Sequence, residues 1–112
     1  MTNVKKDGCE LIIDGERISL PAAAESIVQT QNTVTVLLDS ENELVSRRNI
    51  WGFDKSGNFL WKAEKVQAPS NDTNCYVKIW KEGKSLWASD WKGMDYQIDL
   101  ETGEHLNKKF RK

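Results

Sequence analysis

Apolar and polar residues alternate with a period of two along most of this chain, and the alternation is cut every few residues by Asp-Gly, Ser-Gly or Thr-Gly pairs. Successive side chains of a strand point to opposite faces, so the pattern predicts short strands joined by tight turns. Ten segments stand out: Glu10 to Asp14, Arg17 to Leu20, Ile27 to Thr30, Thr33 to Leu38, Asn49 to Asp54, Asn58 to Glu64, Tyr76 to Trp80, Ser85 to Ser89, Tyr96 to Leu100 and His105 to Lys108. The run Val34-Thr35-Val36-Leu37-Leu38 is β-branched and nearly continuous in apolar character, which suits a central strand buried on both faces. Trp51 and Phe53 alternate onto one face, Phe59, Trp61 and Ala63 likewise, and this aromatic hairpin is predicted to anchor the core. The polar stretch Ser40 to Arg48 reads as a surface connection, and Gln67 to Asn74, with Pro69 and small polar residues, as the clearest loop and the best site for mobility.

Three phrases repeat: Ile12 to Ile18, Trp51 to Trp61 and Tyr96 to Leu106, each ending a strand at Asp, turning at Gly and restarting. Their Asp positions, 14, 54 and 99, lie 40 and 45 residues apart, a spacing that belongs to four-stranded units such as propeller blades. Three copies give about two and a half blades, too few to close a propeller of at least four. The predicted fold is all-β, built of antiparallel hairpin and meander repeats, either as partial-propeller-like sheets or as a compact sandwich or open barrel. One domain is expected over residues 1–112, with 1–9 and 108–112 as frayed ends. A propeller-like ring completed by other copies keeps a homo-oligomer among the expectations.

Composition excludes more than it suggests. Sixteen Lys plus Arg against 17 Asp plus Glu give a formal net charge of -1, so nothing in the charge balance calls for nucleic acid or an anionic membrane. No apolar run approaches the ~18 residues of a membrane span, and Met1 to Glu10 lacks the apolar segment of a signal peptide, so a cytoplasmic protein is expected. Cys9 and Cys75 have no CxxC spacing and only His105 to help them, which is short of a zinc site; they read as free thiols. Asp54, Ser56 and Asn58 match the first ligands of a calcium loop, but its glycine and closing Glu are missing, and no glycine-rich phosphate loop is present. No metal and no cofactor are expected.

Catalysis has little to build on. The single histidine, His105, reads as a surface or edge residue, and Asp14, Asp54 and Asp99 read as turn caps that accept backbone amides. The anomaly is aromatic: five tryptophans, at 51, 61, 80, 87 and 91. Trp51 and Trp61 suit a β-sheet core. In Tyr76 to Trp80, Val77 and Ile79 take one face and Tyr76, Lys78 and Trp80 the other; further on, Trp87 and Trp91 oppose Leu86 and Ala88. If the aliphatic side faces the core, Tyr76, Trp80, Trp87 and Trp91 form an exposed patch rimmed by Lys78, Lys81, Asp90 and Lys92; if the aromatics face inward, the patch disappears. The candidate binding residues are therefore Tyr76, Trp80, Trp87, Trp91, Lys78 and Asp90.

The segments Asn49 to Trp61 and Lys84 to Leu106 resemble the blade phrases of quinoprotein-type (PQQ-like) β-propellers, without an evident counterpart of the quinone-binding residues. The whole chain is similar to a family of small uncharacterised bacterial proteins, through Ile13-Asp14-Gly15 leading to Leu20-Pro21, Val36-Leu37-Leu38-Asp39, Trp51 to Trp61, and Trp91 to Gly103, where Met94-Asp95 stand between Gly93 and Tyr96. The resemblance implies an all-β fold and a bacterial origin but no settled activity. The function expected is a non-catalytic protein-interaction module, of the immunity or antitoxin sort, with a protein partner. The alternatives are a carbohydrate- or small-molecule-binding domain and a hydrolase using Asp90, Asp95 or Asp99.

Overall fold

A computed structural model describes residues 2–40, 47–66 and 74–110. Among these residues eleven strands form three antiparallel meanders. The first sheet holds β1 (Val4–Asp7), β2 (Glu10–Ile13) and β3 (Glu16–Ser19). The second holds β4 (Ala24–Gln29), β5 (Thr33–Leu38), β6 (Ile50–Asp54) and β7 (Phe59–Lys62). The third holds β8 (Tyr76–Glu82), β9 (Ser85–Asp90), β10 (Met94–Ile98) and β11 (His105–Phe110). The expected all-β meander is what forms, in its partial-propeller version: three sheets face one another like blades, β1 beside β4 and β4 beside β8, within 40 × 30 × 21 Å.

Among the described residues, strands run into both stretches where fraying was expected. Val4–Asp7 pairs along β2 and residues through Phe110 continue β11, so the sequence reading missed one strand and shortened another. The expected connection at 40–48 and loop at 67–74 fall mostly on residues 41–46 and 67–73, which lie outside the described residues.

Turn chemistry explains the hairpins. Asp14 and Gly15 both take left-handed φ, 49° and 86°, the requirement of the two-residue turn whose twist matches paired strands. Asp54 Oδ1 accepts the amides of Ser56 and Asn58, each at 2.9 Å, and Asp99 Oδ1 that of Glu101 at 2.8 Å, as expected of turn caps. Asp14 departs from that role: its carboxylate accepts the amide of Asn3 at 2.7 Å and so ties down the start of β1.

Two cores lie between the three sheets. Leu11 and Ile13 meet Val34, Val36, Leu38 and Phe53 between the first and second; Leu37, Ile50, Trp61 and Ala63 meet Ile79, Leu86, Tyr96 and Ile98 between the second and third. All six residues of β5 are buried, because its sheet is covered on both faces. The aromatic hairpin divides its rings between the cores. Trp51 packs on the first and Trp61 lies in the second, while Phe59 reaches the edges of Trp51 and Phe53 at ring separations of 5.1 and 5.9 Å. Phe59 and Trp61 thus do not share a face, since Leu60 stands outside the β6–β7 register as a bulge.

Candidate interaction face

The inner face of the third sheet is fixed by Ile79, Leu86, Ala88, Tyr96 and Ile98, all buried against the second sheet. Strand alternation then sends Lys78, Trp80, Ser85, Trp87, Gln97, Asn107 and Lys109 to the outer face. Trp80 and Trp87 stand directly opposite each other on β8 and β9, their rings stacked at 6.4 Å with 17° between planes. Lys78 Nζ lies 5.5 Å from the Trp80 ring and Lys109 Nζ 5.1 Å from that of Trp87, at cation–π distance. The row continues through Gln97, whose Nε2 donates to Ser85 Oγ at 3.1 Å and whose Oε1 accepts from Asn107 at 2.6 Å. Both tryptophans are half-buried, Trp80 Nε1 donating to Glu82 at 3.0 Å. Ser89 and Asp95 on the same face are buried, so its accessible part is the tryptophan pair with the two lysines and the amide row.

Of the six residues singled out by sequence, Lys78, Trp80 and Trp87 come together here and three do not. Tyr76 is 1 % exposed. Strict alternation placed it beside Trp80, but Val77 has no partner in the β8–β9 register, and this bulge returns Tyr76 to the face of Ile79 while pushing Val77 outward. Trp91, 71 % exposed, belongs to the β9–β10 corner, where strand alternation has stopped, and among the described residues it joins no ring pair. Asp90 is 2 % exposed, on the inner side after Leu86 and Ala88.

Asp90 closes a buried polar cluster that the sequence reading did not anticipate. Its Oδ1 accepts the amides of Lys92 and Met94 at 3.0 and 2.9 Å, and its Oδ2 the Tyr96 hydroxyl at 2.6 Å and Asn74 Nδ2 at 2.9 Å. Burial by itself raises this carboxyl, but the four hydrogen bonds outweigh it and hold Asp90 below its ordinary value of 3.8. Asp90 Oδ1 takes the amides two and four residues on, as Asp54 does, so the turn-cap pattern read at 54 and 99 is the signal that could have assigned residue 90 to a turn. His105 sits on the edge strand expected of it, yet its side chain is 2 % exposed, stacked on Tyr96 at 4.2 Å. The Tyr76 hydroxyl donates to the Glu64 carbonyl and lies 2.7 Å from His105 Nε2, so the ring presents Nε2–H to it. Nδ1 is then left unprotonated, 3.5 Å from Glu64 Oε2. Burial lowers the histidine below 6.5, with Glu64 opposing, and burial raises the Tyr76 hydroxyl. Together these groups tie β8, β10 and β11 of the third sheet to Glu64.

Fold and face together define an open arc of three propeller-like blades with one aromatic, cationic outer face. The chain belongs to the family described as a domain of unknown function, DUF7957, which it matches over residues 1–110. Comparison with curated proteins gives no match. Among solved structures it is similar to BamB from Moraxella catarrhalis, a propeller-like all-β protein, with a TM-score of 0.69 at 17 % identity over 98 % of this chain and 34 % of that one. It is also similar to the computationally designed Ika8 protein, with a TM-score of 0.64 at 12 % identity over 99 % of this chain and 33 % of that one. The chain therefore spans about a third of the length of both.

Proposed function

We propose that this protein is a non-catalytic protein-interaction module that presents the outer face of its third sheet to an acidic surface of a partner protein. The observation that carries the reading is the stacked Trp80–Trp87 pair on a face over which no other sheet packs among the described residues, with Lys78 and Lys109 held over its rings. Half-exposed tryptophans flanked by cations are the anchors from which interfaces draw most of their energy.

Charge argues for a foreign partner over a second copy. Pairing this face with itself sets Lys78 and Lys109 against lysines. The outer face of the first sheet, the other open end of the arc, already has Asp7 and Glu10 engaged by Arg17 at 3.3 and 2.7 Å. In this role the protein works in the cytoplasm in the manner of a small immunity or antitoxin protein; the resemblance to small bacterial proteins supports that setting, and Cys9 and Cys75 are free thiols.

The test uses matched baits in host extract: the native chain, Trp80→Ala/Trp87→Ala and Lys78→Glu/Lys109→Glu. An acidic protein retained by the native chain, released by salt and lost from both variants, with circular dichroism unchanged, is the expected result. Equal retention by either variant, or a dimer mass by light scattering in place of 12.8 kDa, rejects this reading of the face.

A further inference from the structure

The second site lies away from the tryptophan face. Four turns, β4–β5, β6–β7, β8–β9 and β10–β11, rise around an open groove of about 990 Å³ at one end of the second and third sheets. This volume is at the upper end of ordinary small-ligand sites. Among the described residues three ammonium groups from three separate elements line it, Lys55 in the β6–β7 turn, Lys81 near the end of β8 and Lys84 in the β8–β9 turn, against one carboxylate, Glu101. Lys55 Nζ donates to Gln29 Oε1 at 3.0 Å, and among the described residues Lys81 and Lys84 have neither an ion pair nor a hydrogen bond.

From this arrangement we infer that the groove binds a small phosphorylated polyol, its phosphate held by Lys81, Lys84 and Lys55 and its hydroxyls by the side-chain amides of Gln29, Gln31 and Asn32. Ammonium groups on flexible stems suit a phosphate as point charges, and three cations facing one anion leave a local excess for it to neutralise. The side-chain amides of Gln29, Gln31 and Asn32 supply both donors and acceptors, the chemistry that hydroxyls require. Among the described residues no aromatic ring lines the groove, so a nucleobase finds nothing there to stack on, and the aliphatic side chains lining it are Leu60 and Leu100. The site does not depend on the protein-interaction reading and uses none of its residues.

The experiment is a titration of the full-length, ¹⁵N-labelled chain followed by amide shifts, with glucose 6-phosphate, glucose and inorganic phosphate as separate probes. Saturable, salt-sensitive shifts from glucose 6-phosphate at Gln29, Lys55 and Lys81 to Lys84 are expected. Lys81→Ala/Lys84→Ala should weaken them by about tenfold or more, since each removed ammonium deletes a charge-assisted contact. Lys78→Ala/Lys109→Ala, on the other face, should leave them unchanged and so controls for a general loss of positive charge. The inference is overturned if no shift saturates by ~10 mM, a range that admits even weak millimolar binding, or if the groove variant binds as well as the native chain. Binding of glucose 6-phosphate no tighter than that of inorganic phosphate also overturns it.

Discussion

Trp61 joins the second and third sheets, and two glycines make room for it. Its indole lies over Gly52, its cross-strand partner, where an added Cβ would come within 2.4 Å of the ring. A Cβ at Gly103, in the β10–β11 turn at φ 80°, would likewise come within 2.8 Å of the ring and 2.6 Å of the Lys62 carbonyl. Its Nε1 donates to the Leu100 carbonyl at 2.7 Å, so one side chain spans both sheets. Gly52→Ala therefore forces the indole off its seat, and urea denaturation should show a loss of about 1–3 kcal/mol, the usual effect of overpacking. Thr35 should show the opposite sign. Its buried Oγ1 has no hydrogen-bond partner among the described residues, so Thr35→Val removes an unsatisfied hydroxyl at constant shape. The expected gain is about 1 kcal/mol, read as a higher urea midpoint with unchanged slope. Trp61 was legible in the sequence as a core residue; its glycine seats were not, because one of them lies 42 residues away in a turn whose approach only tertiary packing decides.

At the scale of elements, the period-two reading holds inside strands and fails at bulges. Glu25, Leu60, Val77 and Leu106 each drop out of a register, and all four lie on the first or last strand of a four-stranded sheet, where bulges concentrate. Each skipped residue inverts the faces of those beyond it, which is why alternation puts Tyr76 and Phe59 on the wrong side, while Trp80 and Trp87, with no bulge between them and Ile79, Leu86 and Ala88, lie opposite those residues as alternation expects. The bulge at Leu106 has a consequence for β11: it lets His105 pair with Ile98 and enter the interior. Because burial lowers its pKa, the unfolded chain binds a proton more readily than the native one. The stability this histidine contributes is complete above its unfolded value of 6.5 and is lost as pH falls below that toward the lowered native value. Urea midpoints measured from pH 7.5 to 5 should decline, and His105→Gln should flatten the decline; a midpoint independent of pH in the native chain would rule out the buried neutral ring. A second decline belongs below 3.8, where protonating Asp90 breaks the hydrogen bonds that fix the β9–β10 corner.

Among the described residues the molecule is a stack of three layers, and the middle sheet packs on both faces. Both cores depend on it: Val34, Val36 and Leu38 of β5 serve one, and Leu37 of the same strand serves the other. Loss of either outer sheet exposes a continuous apolar face of the second, so neither core has a stable existence apart from the other. The arc should therefore unfold as one unit despite its repeated construction, unlike long repeat arrays in which each unit is stabilised by its neighbours alone. Leu11→Ala tests this, because Leu11 is fully buried in the first core and lies far from the third sheet in the order of layers. A cavity there costs about 2–5 kcal/mol, a large part of the stability of a domain this size. The expected outcome is a lowered urea midpoint shared by two probes, far-UV circular dichroism for all sheets and the NMR side-chain signals of Tyr76 and Tyr96 in the opposite core, which, unlike a near-UV signal, the five tryptophans do not share. If the transition of the tyrosine signals stayed where it is in the native chain while the far-UV signal shifted, the two cores would be independent, and the arc would be better described as separable blades than as one cooperative body.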